Sequence, residues 1–189
     1  MLRLPRRARQ QRTAPARARA DPPLHHRGAP LRQQIATHAV GDAALDVVLD
    51  AYEEAQRLHP RADVRHRVEH AAVTSDAQVA RIARLGLIPV PQGRFLSEIG
   101  DGLLTALGPV RSGPVRSQLA YRMRSFLDAG VVLPGSSDAP VVASDPLLGI
   151  ADMVNRRTAS GAPIGPHEAV TARSSATTSS AWPRTASPP

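Results

Sequence analysis

Two imidazoles and one carboxylate carry most of the chemistry this sequence offers: His38, His70 and Asp138. Each ends or directly follows a short run with strand character. His38 follows residues 34–37, His70 closes residues 64–70, and Asp138 comes after residues 131–133 and the turn Pro134-Gly135-Ser136-Ser137. Singly, each has an ordinary explanation: a histidine hydrogen-bonded in the core, an aspartate capping a turn. Their recurrence at equivalent positions gives them weight, because ligands of parallel α/β folds bind at the carboxyl ends of strands. Two imidazoles and a carboxylate suit Zn²⁺ or another borderline divalent metal. Such an ion lowers the pKa of bound water to about 7. A carboxylate beside it can take the proton from that water and pass it to a leaving amine. Together these make an apparatus for hydrolysing an amide-like C–N bond.

The elements that must position these groups follow from hydrophobic spacing. Residues 42–58 predict a helix with an apolar stripe of Leu45, Val48, Leu49, Tyr52 and Ala55, and Asp42 suits its N-terminus. In the strand 64–70, alternation puts Val64, His66, Val68 and His70 on one face, read as inward. Arg65, Arg67 and Glu69 then face the helix layer, where Glu69 pairs with an arginine. Ser75-Asp76-Ala77-Gln78 is a capping box that opens a helix ended by Gly86. A strand at 87–90 leads into a long Gly-rich stretch, 91–114, expected to be a functional loop. There Gln92 and Arg94 point toward the same rim as candidate substrate contacts. A helix over 117–129, a short apolar strand at 131–133, a helix over 146–157 and a short helix near Pro166 complete the pattern. Four βα repeats predict an α/β fold with parallel strands and helices outside. His66 is a weaker ligand candidate one turn deeper than His70, and His59 and His167 read as solvated.

Charge and composition exclude other chemistries. The chain has 189 residues and a net charge of +8, with 24 cationic residues, all arginine, and no cysteine. No P-loop lysine, Schiff base, carboxylated-lysine bridge, disulfide or thiol nucleophile is therefore available. Nine of the arginines stand within residues 1–32 against a single acid, Asp21, so the remainder is neutral. A nucleic-acid role would rest on that extension alone, without aromatic interleaving or a basic stripe in the body, and is disfavoured. No apolar run is long enough to span a membrane, and the N-terminus lacks the apolar core of a secretory signal. A cytoplasmic location fits the lack of cysteine. Residues 1–32 and 172–189 lack any period and are expected to be disordered.

Several linked motifs resemble amidohydrolase family 3, in the branch related to N-substituted formamide deformylase. They are Gln34-Ile35-Ala36-Thr37-His38-Ala39-Val40-Gly41-Asp42, Arg67-Val68-Glu69-His70 and Ser136-Ser137-Asp138-Ala139-Pro140, supported by residues 121–131 and by Asp145-Pro146-Leu147. The resemblance covers residues 33–171 and is to the C-terminal half of the family's fold. It implies a partial TIM-like (β/α) barrel of about four βα units, holding one or two metal ions when complete. It implies that His38 closes strand five, His70 strand six and Asp138 strand eight, with the histidines binding metal and the aspartate binding metal and shuttling the proton. The substrate class implied is a small amide-like molecule.

The sequence departs from that family in three respects. The His-x-His pair of strand one is missing, since adjacent His25-His26 would point to opposite faces. The strand-four ligand and the small β-sandwich are also missing. The expectation is therefore a truncated enzyme whose ends, beyond residues 33–171, read as out-of-frame or degraded coding sequence. Activity would then need a second copy or a complementing chain, and the alternative is an inactive relic.

Overall fold

The computed structural model describes residues 33–108 and 116–174. The Arg-rich segment 1–32 and residues 175–189 of the C-terminal tail lie outside the described residues, so the expectation of disorder there is not addressed; residues 172–174 are helical.

Three parallel strands form one sheet in the order β1 (Ala36–Ala39), β2 (Arg67–His70), β3 (Ile88–Val90). Helix α1 (Asp42–Leu58) crosses from β1 to β2, and α2 (Asp76–Arg84) from β2 to β3. Strand order follows chain order, so both crossovers run the same way and, being right-handed, lay both helices on one face. The buried stripe of α1 is the expected set plus Ala51. Gly41, not Asp42, is its N-cap. Asp42 is the first helical residue, still at the positive end of the helix, and its carboxylate pairs with Arg116. The capping box of α2 forms as expected: Ser75 Oγ accepts from the Gln78 backbone N–H at 3.3 Å, and Gln78 Oε1 accepts from Ser75 N–H at 2.9 Å. Gln78 Nε2 also donates to the Asp42 carbonyl at 2.8 Å, tying the start of α2 to the start of α1.

The faces of the sheet are the reverse of the sequence expectation. The parallel register sets Thr37 beside Val68 and His38 beside Glu69, and residues paired in this way share a face. Thr37 Oγ1 lies 2.7 Å from the Tyr52 hydroxyl on α1, and the His66 ring stacks on Tyr52 at 5.1 Å. Thr37, His66 and Val68 therefore face the helices. His38, Arg67 and Glu69 lie on the opposite face, with Arg67 Nε donating to Glu69 Oε1 at 2.8 Å. Alternation separates two faces but does not say which one is covered. Here the fully buried Val68 goes to the helix layer. His66 Nδ1 accepts from the Ile35 N–H at 3.1 Å, which gives it a structural role rather than a ligand's.

Residues 131–133 do not join the sheet as a fourth strand. Val131 and Leu133 are buried and Val132 is exposed, as in a strand, but no ladder forms. The reason lies in β3. Ile88 N–H is directed to His66 of the β2 side, so Val90 N–H points the same way. The outer edge is left with positions 89 and 91, both proline, which have no N–H to donate. Only an acceptor remains there, and the Pro91 carbonyl receives Ser136 N–H at 3.1 Å.

Two further expectations change. The stretch 91–108 is not a plain loop but contains α3 (Phe95–Glu98) and α4 (Gly100–Ala106), held by buried Phe95 and Leu96; residues 109–115 lie outside the described residues. The helix expected over 117–129 is split into a 3₁₀ turn (Arg116–Leu119) and α5 (Met123–Asp128). The break sits at Ala120, which bridges antiparallel to Val73, and at Tyr121, with φ of 48° and its N–H on the Ala72 carbonyl at 2.7 Å. Helix α6 (Pro146–Asn155) begins as read, with Asp145 as N-cap and proline in its first turn, and a 3₁₀ turn spans Pro166–Glu168.

One buried ion pair clamps α5 to that last turn. Glu168, 1% exposed, accepts from Arg122 Nε and from the Ser125 N–H, each at 2.8 Å. Burial alone would push its carboxyl up, but the donors on Ser125 and Arg122 outweigh burial and hold it below the ordinary range. A depressed folded pKa gives stability that is full above the unfolded value of about 4.3 and is lost as pH falls through the folded value. In urea melts between pH 6 and pH 3, Glu168→Gln is expected to start less stable and to lose less on acidification. An unchanged acid slope would refute that role.

Candidate metal centre and its rim

His38, one residue before the end of β1, and His70, the last residue of β2, stand on adjacent strands, and their rings meet edge to face with centroids 4.5 Å apart. By strict alternation His70 would follow Val68 into the helix layer. Instead His70 and Ala71 take positive φ, 73° and 44°, a conformation that non-glycine residues seldom hold without a compensating environment. This turn at the strand end accompanies the meeting of the His70 ring with His38. His38 stays exposed while His70 is 7% exposed.

The orientation of His70 is set by Gln92. Gln92 Nε2 donates to the Val90 carbonyl at 2.9 Å, which leaves Oε1 facing His70 Nδ1 at 2.8 Å. An amide oxygen only accepts, so Nδ1 must carry the proton and the Nε2 lone pair is free. That is the arrangement by which metal-binding histidines are held. Gln92, 1% exposed with both ends engaged, therefore orients His70, an arrangement that the sequence reading, which made it a candidate substrate contact, did not foresee.

Asp138 occupies a left-handed turn, φ 55°, after residues 131–133, and its N–H donates to Ser136 Oγ at 3.0 Å. It is linked to the histidines through an aromatic path that sequence reasoning missed. Phe95 stacks on His70 with centroids 6.3 Å apart, and Tyr121 meets Phe95 edge-on at 6.4 Å. Burial pushes the Tyr121 phenol well above its ordinary pKa, and the nearby negative charge of Asp138 adds to the shift. The signal for Tyr121 was available only in the tertiary contacts, because it lay inside a stretch that reads as continuous helix.

The structure thus brings His38 and His70 together and leaves Asp138 on the same rim. Among the described residues no three His, Cys, Asp or Glu side chains form a group able to hold a metal ion. The donor set fits two ligands of a divalent site, with two imidazoles adjacent and one tautomer fixed. Arg94 lies farther round the rim. Its Nη1 donates to Asp152 Oδ2 at 2.9 Å and to Ser97 Oγ at 2.7 Å, and Nη2 reaches Glu98. Its Nε is buried without a partner among the described residues. Arg94 also lines a cavity of about 180 Å³ with Gly93, Ser136, Ser137, Gly149 and Met153.

The parallel sheet, with a histidine pair near the carboxyl ends of two of its strands, makes the chain an α/β protein with a candidate ligand site at the usual end of the sheet. The chain belongs to the amidohydrolase family, whose model matches residues 24–187. N-substituted formamide deformylase of Arthrobacter pascens is 37% identical over 150 residues, covering 77% of this chain and 26% of the relative. Two solved metal-dependent hydrolases are also similar. The one from Pyrococcus furiosus is 32% identical with a TM-score of 0.61, covering 79% of this chain and 28% of that one. The one from Pyrococcus horikoshii is 29% identical with a TM-score of 0.60, covering 75% and 27%. The chain spans about a quarter of the length of these proteins. Among the described residues no helix is long and apolar enough to cross a membrane.

Proposed function

We propose that this chain is the part of a (β/α) barrel that carries the His38–His70–Asp138 side of a hydrolytic metal site. The reaction is hydrolysis of a non-peptide, amide-like C–N bond in a small molecule. The observation that carries this reading is the His38–His70 pair at adjacent strand ends, with Gln92 fixing the His70 tautomer. His38 and His70 would hold the ion, with Asp138 as the third ligand that the family resemblance implies. When bound, a divalent ion, zinc by the type of donor, supplies Lewis acidity and makes water acidic enough to attack at neutral pH. Asp138 accepts the proton of the attacking water and returns it to the departing nitrogen. Gln92 holds the His70 ring so that Nε2, not Nδ1, faces the rim. The deformylase relative makes N-substituted formamides the first substrates to assay. Because only His38 and His70 come together among the described residues, further ligands, from a second copy or a complementing polypeptide, would complete the site, with an inactive relic as the alternative.

Calorimetric titration with Zn²⁺ tests the site. The full chain is expected to bind one ion per site, and His70→Ala or His38→Ala to lose at least a hundredfold in affinity. Equal weak binding by the three proteins would overturn the assignment.

A further inference from the structure

The cavity beside Asp138 has a size, a charge balance and a position that together describe a ligand. It opens on the carboxyl side of the strands, walled by Gly93 and Arg94 just past β3, by Ser136 and Ser137 just before Asp138, and by Gly149 and Met153 of α6. We propose that this cavity is the pocket for the variable group of the substrate, and that it admits an uncharged, hydrogen-bonding group of about six non-hydrogen atoms. The proposal rests on the reading of the rim as a hydrolytic site.

Size comes first. A cavity of about 150 Å³ in a protein interior takes one benzene. The space here is about 180 Å³. Its closed end is set by backbone: a Cβ at Gly93 would stand 2.8 Å from the Gly149 carbonyl oxygen and 2.9 Å from Met153 Cγ. The turn after β3 therefore meets α6 with no room between them, and the volume is bounded on that side.

Charge decides the class. Arg94 is the cation of the wall, but its terminal nitrogens already serve Asp152, Ser97 and Glu98. Asp145, also on the wall, is a third carboxylate and accepts from Leu147 N–H at 2.9 Å. One guanidinium thus stands against three carboxylates. An anionic ligand would meet net repulsion and would compete with Asp152 and Glu98 for the terminal nitrogens of the guanidinium, only its Nε being without a partner among the described residues. A neutral group meets no such opposition. Ser136 Oγ accepts from Asp138 N–H, which leaves its own proton to donate, and Ser137 adds a second hydroxyl. The floor of Gly93 and Gly149 leaves space, and Met153 supplies an adaptable apolar surface.

Gly149 offers a clean test, because a Cβ there has only the Arg94 amide nitrogen near it, at 3.9 Å. Alanine should fit and raise Tm, since glycine is unfavourable inside a helix. Leucine should fill the cavity. Binding of N-(4-hydroxybutyl)formamide and of 4-formamidobutanoate to the full chain is measured by ligand-observed NMR, with Tm as the check on folding. The expected result is at least tenfold tighter binding of the neutral probe, and affinity falling in the order Gly149, Gly149→Ala, Gly149→Leu while Tm does not fall from the first to the second. Equal or tighter binding of the carboxylate, or full affinity in Gly149→Leu, would overturn the proposal. Zn²⁺ binding is followed separately: graded probe binding with equally weak Zn²⁺ affinity in the wild type, His38→Ala and His70→Ala overturns the hydrolase reading and leaves the pocket standing. Histidine-dependent Zn²⁺ binding without graded probe binding does the reverse.

Discussion

Arg156→Met is expected to lower stability by about 3–5 kcal/mol, a large part of the roughly 5–15 kcal/mol that holds a domain of this size. Arg156 is 1% exposed and follows α6 in the left-handed conformation, φ 51°. Its guanidinium reaches four backbone carbonyls. Nε donates to Ile164 at 3.0 Å and Gly165 at 3.1 Å, Nη1 to Tyr121 at 3.0 Å, and Nη2 to Ala120 at 2.8 Å. Burial pushes its pKa down to about 10, and the charge of Glu168 works against that fall, so it remains a cation at neutral pH. Methionine matches the stem but leaves the carbonyls unpaired, and an unsatisfied buried acceptor costs about 1–3 kcal/mol. Lysine would not substitute, because its three donors do not reproduce the planar fork. Gly165 is part of the same construction: a Cβ there would lie 2.8 Å from Arg156 Nη2. The measurement is the urea midpoint. A midpoint within error of the wild type would show that these carbonyls find other partners.

The second large effect concerns Gln92. Gln92→Leu keeps the approximate shape but removes the acceptor of His70 Nδ1–H and the donor to the Val90 carbonyl. Losing an outer partner of a ligating histidine typically costs 10- to 100-fold in metal affinity. That loss is expected in Zn²⁺ competition against a chelating dye. A wild-type affinity in the variant would mean that the His70 ring is held by its contacts with His38 and Phe95 alone.

The candidate residues and the elements beside them were legible because their signals are local. His38, His70 and Asp138 stand in short motifs, and the capping box at Ser75 and the stripe of α1 depend only on neighbours within a turn or two. The faces of β2 were not legible. His66, Val68 and His70 share a sequence phase, yet His66 and Val68 go to the helix layer while His70 meets His38 after a turn into positive φ. The hydrogen bonds of Gln92 were equally hidden, since rim position suggests a substrate contact and only the tertiary structure brings its side chain to His70 and the Val90 carbonyl. Likewise the three candidate ligands, so alike in sequence position, do not converge into one cluster among the described residues.

What the sequence by itself determined was the alternation of elements, the family and the residue types able to bind a metal. These depend on periodicity and on short motifs, which survive without knowledge of distant contacts. Even the missing fourth strand had a local cause, the prolines at 89 and 91 that strip donors from one edge of β3. The tertiary structure alone decided which face each histidine takes, that Tyr121 breaks a helix to stand near Asp138, and that Arg94 is neutralised before any ligand arrives. Each of those outcomes depends on groups tens of residues apart competing for the same burial and the same hydrogen bonds. That competition is settled by packing, and no window along the chain contains it.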